Sequence, residues 1–205
     1  MDKKILSHFK KHDPLLHSFA LKIGVVKVLE KENTRNYFLK LCNEITGQQL
    51  SGASADAIFT RFKKLYPKGV TPKAVLGTSH AKLRKVGMSN AKARYLRYLA
   101  EAVVEGKLQL NKLDSLPDEE VKKQLIQVKG IGPWTAEMFL MFTLGRPDVF
   151  SHGDLGLRKG LKKIYGFKKD PSIKRIEKII SKWSPYKTFA SLILWEVLEI
   201  KTGKE

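Results

Sequence analysis

Apolar residues recur at three- and four-residue spacing along most of the chain, and turn-forming residues cut it into helix-length pieces. Strand-type alternation is scarce; one short extended piece is expected at 24–31 (GVVKVLEK). Asp13-Pro14 joins a capping side chain to a residue suited to the first helical position, opening LLHSFALKI. Asn33 or Thr34 is expected to cap a helix carrying Tyr37, Phe38, Leu41 and Ile45, which Thr46-Gly47 ends. Ser51 and Ser54 open the next, with Ala55, Ile58, Phe59, Phe62 and Leu65 inward. Thr71-Pro72 starts a short helix, and 79–86 (SHAKLRKV) is short and basic. Ser89 caps an amphipathic helix to about 105, with Ala93, Leu96, Leu99, Ala100 and Val103 on its core side. Pro117 leads into a helix over 118–128, which Gly130-Ile131-Gly132 breaks. Pro133 suits the start of a further helix, 134–144 (WTAEMFLMFTL), apolar enough to be buried on most sides. Helices at about 155–164, 172–182 and 187–200 complete an all-α pattern. One domain over 1–205 is expected, in two helical lobes that part near 107–116. About 25–110 forms one lobe; the N-terminal segment with about 111–205 forms the other.

Charge narrows the class. Thirty-nine Lys and Arg face 20 acidic residues, a formal charge of +19 with a pI near 9.9. An excess of this size favours a polyanionic partner, because neutralising phosphates releases condensed counterions. A single cysteine, Cys42, excludes an intramolecular disulfide and any four-cysteine zinc or iron–sulfur site. His8 and His12 stand at a metal-like spacing but are flanked by lysines with no further ligand nearby, so a solvated basic face is expected. The first residues, MDKKILSHFKKHD, mix charge too closely with apolar positions for a signal peptide. No window reaches the length of a membrane span. A soluble protein in a reducing compartment is expected.

Three stretches carry candidate chemistry. A glycine hairpin at a helix N-terminus leaves the backbone bare and turns N–H groups outward, which suits a phosphate oxygen. Asp154 follows in a loop, where a fixed carboxylate can stabilise developing positive charge or activate water. By pattern alone Gly153-Asp154 ahead of LGLRKGLKK reads first as an N-cap, and the two roles can coexist. Thr46-Gly47-Gln48-Gln49-Leu50-Ser51 is a polar turn between two helices. Gly87-Met88-Ser89-Asn90 with Lys92, Arg94 and Tyr95 reads either as a capped helix with a basic face or as a phosphate contact.

The run Val128-Lys129-Gly130-Ile131-Gly132-Pro133-Trp134-Thr135-Ala136-Glu137, with Pro147-Asp148-Val149-Phe150 and Gly153-Asp154-Leu155-Gly156, resembles the helix-hairpin-helix DNA glycosylases. Within that superfamily it is similar to the DNA-3-methyladenine glycosylase II branch. The resemblance extends over about 13–195. It implies an all-α, two-lobed fold with the active site in a cleft between the lobes. It also implies excision of alkylated purines such as 3-methyladenine and 7-methylguanine, in base excision repair by base flipping.

The resemblance further implies a role for particular residues. Asp154 stands where these enzymes keep the catalytic aspartate. Trp134 occupies the position, two after the second hairpin glycine, where glycosylase/lyase relatives carry a Schiff-base lysine, so hydrolysis without strand cleavage is expected. Trp134 and Trp195 are base-pocket candidates, joined by Met138 and Leu155 where bacterial members have aromatics; Trp183 is read as core. Gln49 is the candidate wedge for the hole left by an extruded base, with Gln48 and Leu50 beside it. Lys129, Gly130, Ile131 and Gly132, with Ser89 and Lys92, are expected at the DNA backbone. No cofactor is required, though the carbonyls of Ile126, Val128 and Gly130 correspond to a monovalent cation site (sodium or potassium) in relatives. The implied partner is double-stranded DNA with damaged bases, met by a monomer in the nucleoid or nucleus, with no membrane involved. Two other readings stay open on the residues alone: a non-catalytic hairpin module that binds DNA, and a lyase-active enzyme for oxidised bases.

Overall fold

The computed structural model describes residues 2–24, 36–50 and 52–200. The extended piece expected within 25–31, and the capping roles expected of Asn33, Thr34 and Ser51, lie outside the described residues. Among the described residues there is no β-strand. The chain begins with α1 (Lys3–His12) and α2 (Pro14–Ile23), followed by α3 (Tyr37–Gly47) and α4 (Gly52–Lys64). Short helices α5 (Pro72–Leu76) and α6 (His80–Lys85) precede the longer α7 (Asn90–Val104). After a 3-10 turn at Leu110–Ser115 come α8 (Asp118–Ile126) and α9 (Pro133–Met138). The last three are α10 (Leu155–Tyr165), α11 (Ile173–Ile180) and α12 (Lys187–Glu199).

Local side chains explain most of these starts. Asp13, Thr71, Ser79, Ser89 and Ser172 each accept from the backbone N–H three residues on, as does Asn36 at the head of α3. The helix expected over 134–144 is α-helical only to Met138. Phe139–Thr143 continues it as a π turn, in which Leu144 N–H reaches the Phe139 carbonyl at 3.0 Å.

Two units divide the chain, Met1–Glu30 with Gly145–Glu205, and Lys31–Leu144. The expected parting near 107–116 is therefore corrected: α8, the hairpin and α9 stay with the 31–144 unit. The reason is burial. Val121 and Leu125 of α8, and Phe139 and Leu140 after α9, are fully buried; α8 packs on α9, and α9 with its π turn packs on α3, where Leu41 and Ile45 are likewise buried. In the other unit α10 packs along α12, and both meet α2 around Leu16, Leu161, Ile193, Leu194 and Trp183.

Asp13 is the polar centre of that second core. Its Oδ1 accepts from Leu16 N at 3.1 Å, and its Oδ2 from Tyr165 Oη at 2.5 Å and Trp183 Nε1 at 2.9 Å. Three donors make burial of the carboxylate tolerable and tie α2 to α10 and to the Ser181–Trp183 turn. Burial, then the Asp13 carboxylate, pushes the Tyr165 hydroxyl up, so it stays a donor.

Glu44 on α3 carries the opposite kind of group. Burial pushes its carboxyl up to about 7 from 4.5, with Lys40 pulling the other way. The native state therefore holds a proton that the unfolded chain releases near 4.5, and stability falls as pH rises through the window from 4.5 to about 7. Glu44→Gln is expected to match the wild type near pH 4.5 and to exceed it by about 1–2 kcal/mol at pH 8, after allowance for partial exposure. Thermal midpoints of both proteins at the two pH values check this.

Candidate functional site

Candidate residues lie in both units. In the unit containing α10 and α12, Asp154 is the N-cap of α10 and only 9% exposed. Its backbone N–H bonds to the Ser151 carbonyl at 3.2 Å, which closes a tight turn. Oδ1 then accepts two donors, Leu157 N at 2.7 Å and Trp195 Nε1 at 3.0 Å. One is the local capping bond that the sequence signals; the other comes from α12. Together they hold the carboxylate in one orientation at the positive end of a helix.

Glycine makes the second bond possible. A Cβ on Gly156 would lie 2.9 Å from both Trp195 Cδ1 and Nε1 and 3.0 Å from Asp154 Oδ1. One turn later, a Cβ on Gly160 would lie 2.5 Å from the Leu194 carbonyl oxygen. α10 thus presents a bare stripe on which α12 sits close enough for the indole to reach. The loop leading to Asp154 is stitched to the head of α12. Asp148 accepts from Ser184 Oγ at 2.9 Å, Lys187 N at 3.2 Å and Lys187 Nζ at 3.2 Å. Thr188 Oγ1 donates to the Arg146 carbonyl at 2.6 Å and accepts from Val149 N at 3.0 Å. His152 pairs with Glu177 of α11 at 2.8 Å. Sequence reasoning assigned Asp148, Thr188 and His152 no role. The only available sign was that Pro147-Asp148-Val149-Phe150 belongs to the matching run.

The hairpin lies in the other unit. Gly130 adopts φ +102°, whereas Gly132 stays extended at φ −94° as the N-cap of α9, so one glycine and not two makes the left-handed turn. Gly130 lies directly on Tyr95 of α7: a Cβ there would fall 2.1 Å from Tyr95 Cγ. Ile131 is 4% exposed and its N–H is spent on the Val128 carbonyl at 2.9 Å, so it faces inward and offers no donor to an anion. Lys129 is exposed, with Nζ 5.5 Å above the Tyr98 ring.

Three residues expected at DNA, Ser89, Lys92 and Gln48, have their side chains engaged inside this unit. Ser89 caps α7, and Lys92 Nζ donates to the Thr46 carbonyl at 2.8 Å, where burial holds its pKa down. Gln48 Nε2 donates to the Gly130 carbonyl at 2.9 Å and to Thr135 Oγ1 at 3.1 Å. Gln49 and Leu50 remain exposed at the tip of their turn.

With this geometry in place, similarity to known proteins is decisive. A family model described as the HhH-GPD superfamily of base excision DNA repair proteins matches residues 42–185. The chain belongs to this superfamily. A putative DNA-3-methyladenine glycosylase of Bacillus subtilis is 36% identical over 134 residues, 65% of this chain and 46% of that protein, so the chain spans about half of that relative's length. The crystal structure of a DNA-3-methyladenine glycosidase from Bacillus halodurans superposes with a TM-score of 0.82 at 36% identity, covering 96% of this chain and 89% of that one. Schizosaccharomyces pombe 3-methyladenine DNA glycosylase, solved with abasic DNA, gives a TM-score of 0.85 at 28% identity, over 99% and 100% of the two chains.

As an HhH-GPD protein the chain distributes its tryptophans unequally. Trp183 is fully buried, its N–H spent on Asp13. Trp195 is half-buried against α10, and Trp134 is half-buried in the first turn of α9. Met138, a pocket candidate, is 4% exposed and packs in the core of its unit, whereas Leu155, beside Asp154, is 72% exposed. Among the described residues no three His, Cys, Asp or Glu side chains group as metal ligands, and none of the described helices is long and apolar enough to cross a membrane. His8 and His12 stack on one another at 4.5 Å, with His8 Nε2 against the Lys182 carbonyl at 3.0 Å.

Proposed function

We propose that this HhH-GPD protein is a monofunctional DNA glycosylase that hydrolyses the N-glycosidic bond of alkylated purines, of the 3-methyladenine and 7-methylguanine type. The observation that carries the reading is the Asp154 carboxylate, pinned by Leu157 N and the Trp195 indole in a chain whose relatives are named 3-methyladenine glycosylases. When the bond from C1′ to the base breaks, its electron pair leaves with the base and the sugar becomes an oxocarbenium-like cation. Asp154 stabilises that cation and takes a proton from the attacking water, whose oxygen bonds C1′. A cationic alkylated purine departs neutral, so no general acid for the base is needed. Trp195, bonded to the Asp154 carboxylate, supplies a flat, electron-rich face for such a base. Trp134 at the position of a Schiff-base lysine supports hydrolysis without strand cleavage.

Double-stranded DNA with damaged bases is the proposed partner of the monomer. Lys129 and the backbone of Gly130 and Gly132 contact phosphates, and Gln49 or Leu50 fills the vacated stack. The carbonyls of Ile126, Val128 and Gly130 suit a monovalent cation, sodium or potassium, being uncharged oxygen donors. Val128 and Gly130 already accept from Ile131 N and Gln48 Nε2, and each oxygen has a second lone pair. A cation bound there would draw a phosphate toward the hairpin.

Incubation with N-methylated duplex DNA tests the reading: free alkylpurine should appear, with strand scission only after alkali. DNA binding without base release would identify a non-catalytic module, and a borohydride-trapped covalent adduct would identify a lyase. Gly156→Ala is expected to lower excision by about 10- to 100-fold, because the new methyl displaces Trp195 from the carboxylate it orients. Single-turnover rates together with Trp195 fluorescence in a Trp134→Phe, Trp183→Phe background check it.

A further inference from the structure

We infer that Gln48 is a positioning residue that fixes the exposed 49–50 tip at a set distance from the hairpin. Its Nε2 has two hydrogens, and both are donated across the fold, to the Gly130 carbonyl at 2.9 Å and to Thr135 Oγ1 at 3.1 Å. The backbone oxygen of Gly130 can only accept, so the amide orientation is settled by chemistry. Gly130 is the one residue of the Gly130-Ile131-Gly132 turn with positive φ, and Thr135 stands in the first turn of α9. The stem of the turn is held from a second side by Lys92 Nζ on the Thr46 carbonyl at 2.8 Å, and Tyr95 of the same helix lies under Gly130. Beyond this clamp Gln49 is the only non-glycine among the described residues with positive φ, at 57°, and Leu50 is 39% exposed. A strained, exposed tip on a stem tied at several points is preorganised to push into something.

This inference rests on the glycosylase reading. Extruding a base costs a few kcal/mol of unstacking, which an inserted side chain recovers only if its support cannot recoil. The hairpin grips the backbone and the tip enters the stack; Gln48 couples the two within one unit. Gln48 therefore acts on extrusion and not on the glycosidic bond.

The test uses Gln48→Leu, which keeps bulk and removes both donors, and Thr135→Val, which removes one acceptor. Two duplexes carry the same methylated purine, one fully paired and one with the lesion in a bulge that is already unstacked. On the paired duplex Gln48→Leu is expected to lose about 10- to 100-fold in single-turnover excision. On the bulged duplex it should approach the wild-type rate, with binding to abasic-site DNA unchanged. Thr135→Val should show the same pattern at smaller size, and it decides the matter should Gln48→Leu not fold. In an Asp154→Asn background, 2-aminopurine fluorescence beside the lesion reports extrusion without chemistry, and Gln48→Leu should diminish it. Equal losses on both duplexes, or no loss on either, would overturn the role. Base release by neither the wild type nor the variants would sink the glycosylase reading instead, and the fluorescence would then judge Gln48 alone.

Discussion

Asp154→Asn should lower single-turnover base excision by about 10²- to 10³-fold, the usual scale for removing one electrostatic contact to a transition state. The substitution separates the two things this side chain does. Oδ1 accepts from both Leu157 N and Trp195 Nε1, and an asparagine carbonyl in the same place can accept both. Asparagine is also as good an N-cap as aspartate. The helix start, the indole contact and the shape are retained, and only the negative charge is lost. The thermal midpoint should move by no more than about 3 °C, and affinity for damaged duplex should be unchanged or tighter, since a charge repelled by phosphate is gone. Excision rates and binding isotherms at one stated salt concentration check both halves. Unchanged turnover would reduce Asp154 to a cap.

Gly130→Ala is the second large effect, and it falls on stability. The added methyl would lie 2.1 Å from Tyr95 Cγ and 2.6 Å from its Cβ, atoms near the root of the side chain that cannot swing aside. Alanine must also adopt φ near +102°. Overpacking and the unfavourable backbone together amount to about 2–5 kcal/mol, or about 5–15 °C in thermal midpoint for a chain of this size. Gly132 provides the contrast: no atom lies within 4 Å of its ideal Cβ and its φ is −94°, so Gly132→Ala should stay within about 0.5 kcal/mol of wild type. Adding Tyr95→Ala to Gly130→Ala should recover part of the loss, because it relieves the clash but leaves the strained φ. Thermal denaturation of the four proteins measures each contribution. Equal sensitivity at both glycines would mean that the left-handed turn is not where Gly130 stands.

The helix starts were legible because a cap is local: Asp13, Thr71, Ser79, Ser89 and Asp154 each bond to a backbone N–H three residues on. The boundary between units was misplaced for a complementary reason. The stretch 107–116 reads as a boundary between helices, but whether the chain parts there depends on what the following elements bury: Val121, Leu125, Phe139 and Leu140 are enclosed, α8 packs on α9, and α9 with its π turn packs on α3. Lys92 shows the same limit on a single side chain. Its place on a basic helix suggested a phosphate contact, and packing turned its ammonium onto the Thr46 carbonyl instead.

What the sequence determined by itself was the all-α pattern, the hairpin, and an aspartate at a helix start in a strongly basic chain. These follow from spacing of three or four residues and from backbone preferences that neighbours impose. Only the tertiary structure decided that Trp195 orients Asp154 from 41 residues away, that a glycine stripe on α10 admits it, and that Gln48 spans 82 residues to reach Gly130. Such contacts rest on how two helices approach, and that distance is set by volumes summed over a whole core, which no short window of residues contains.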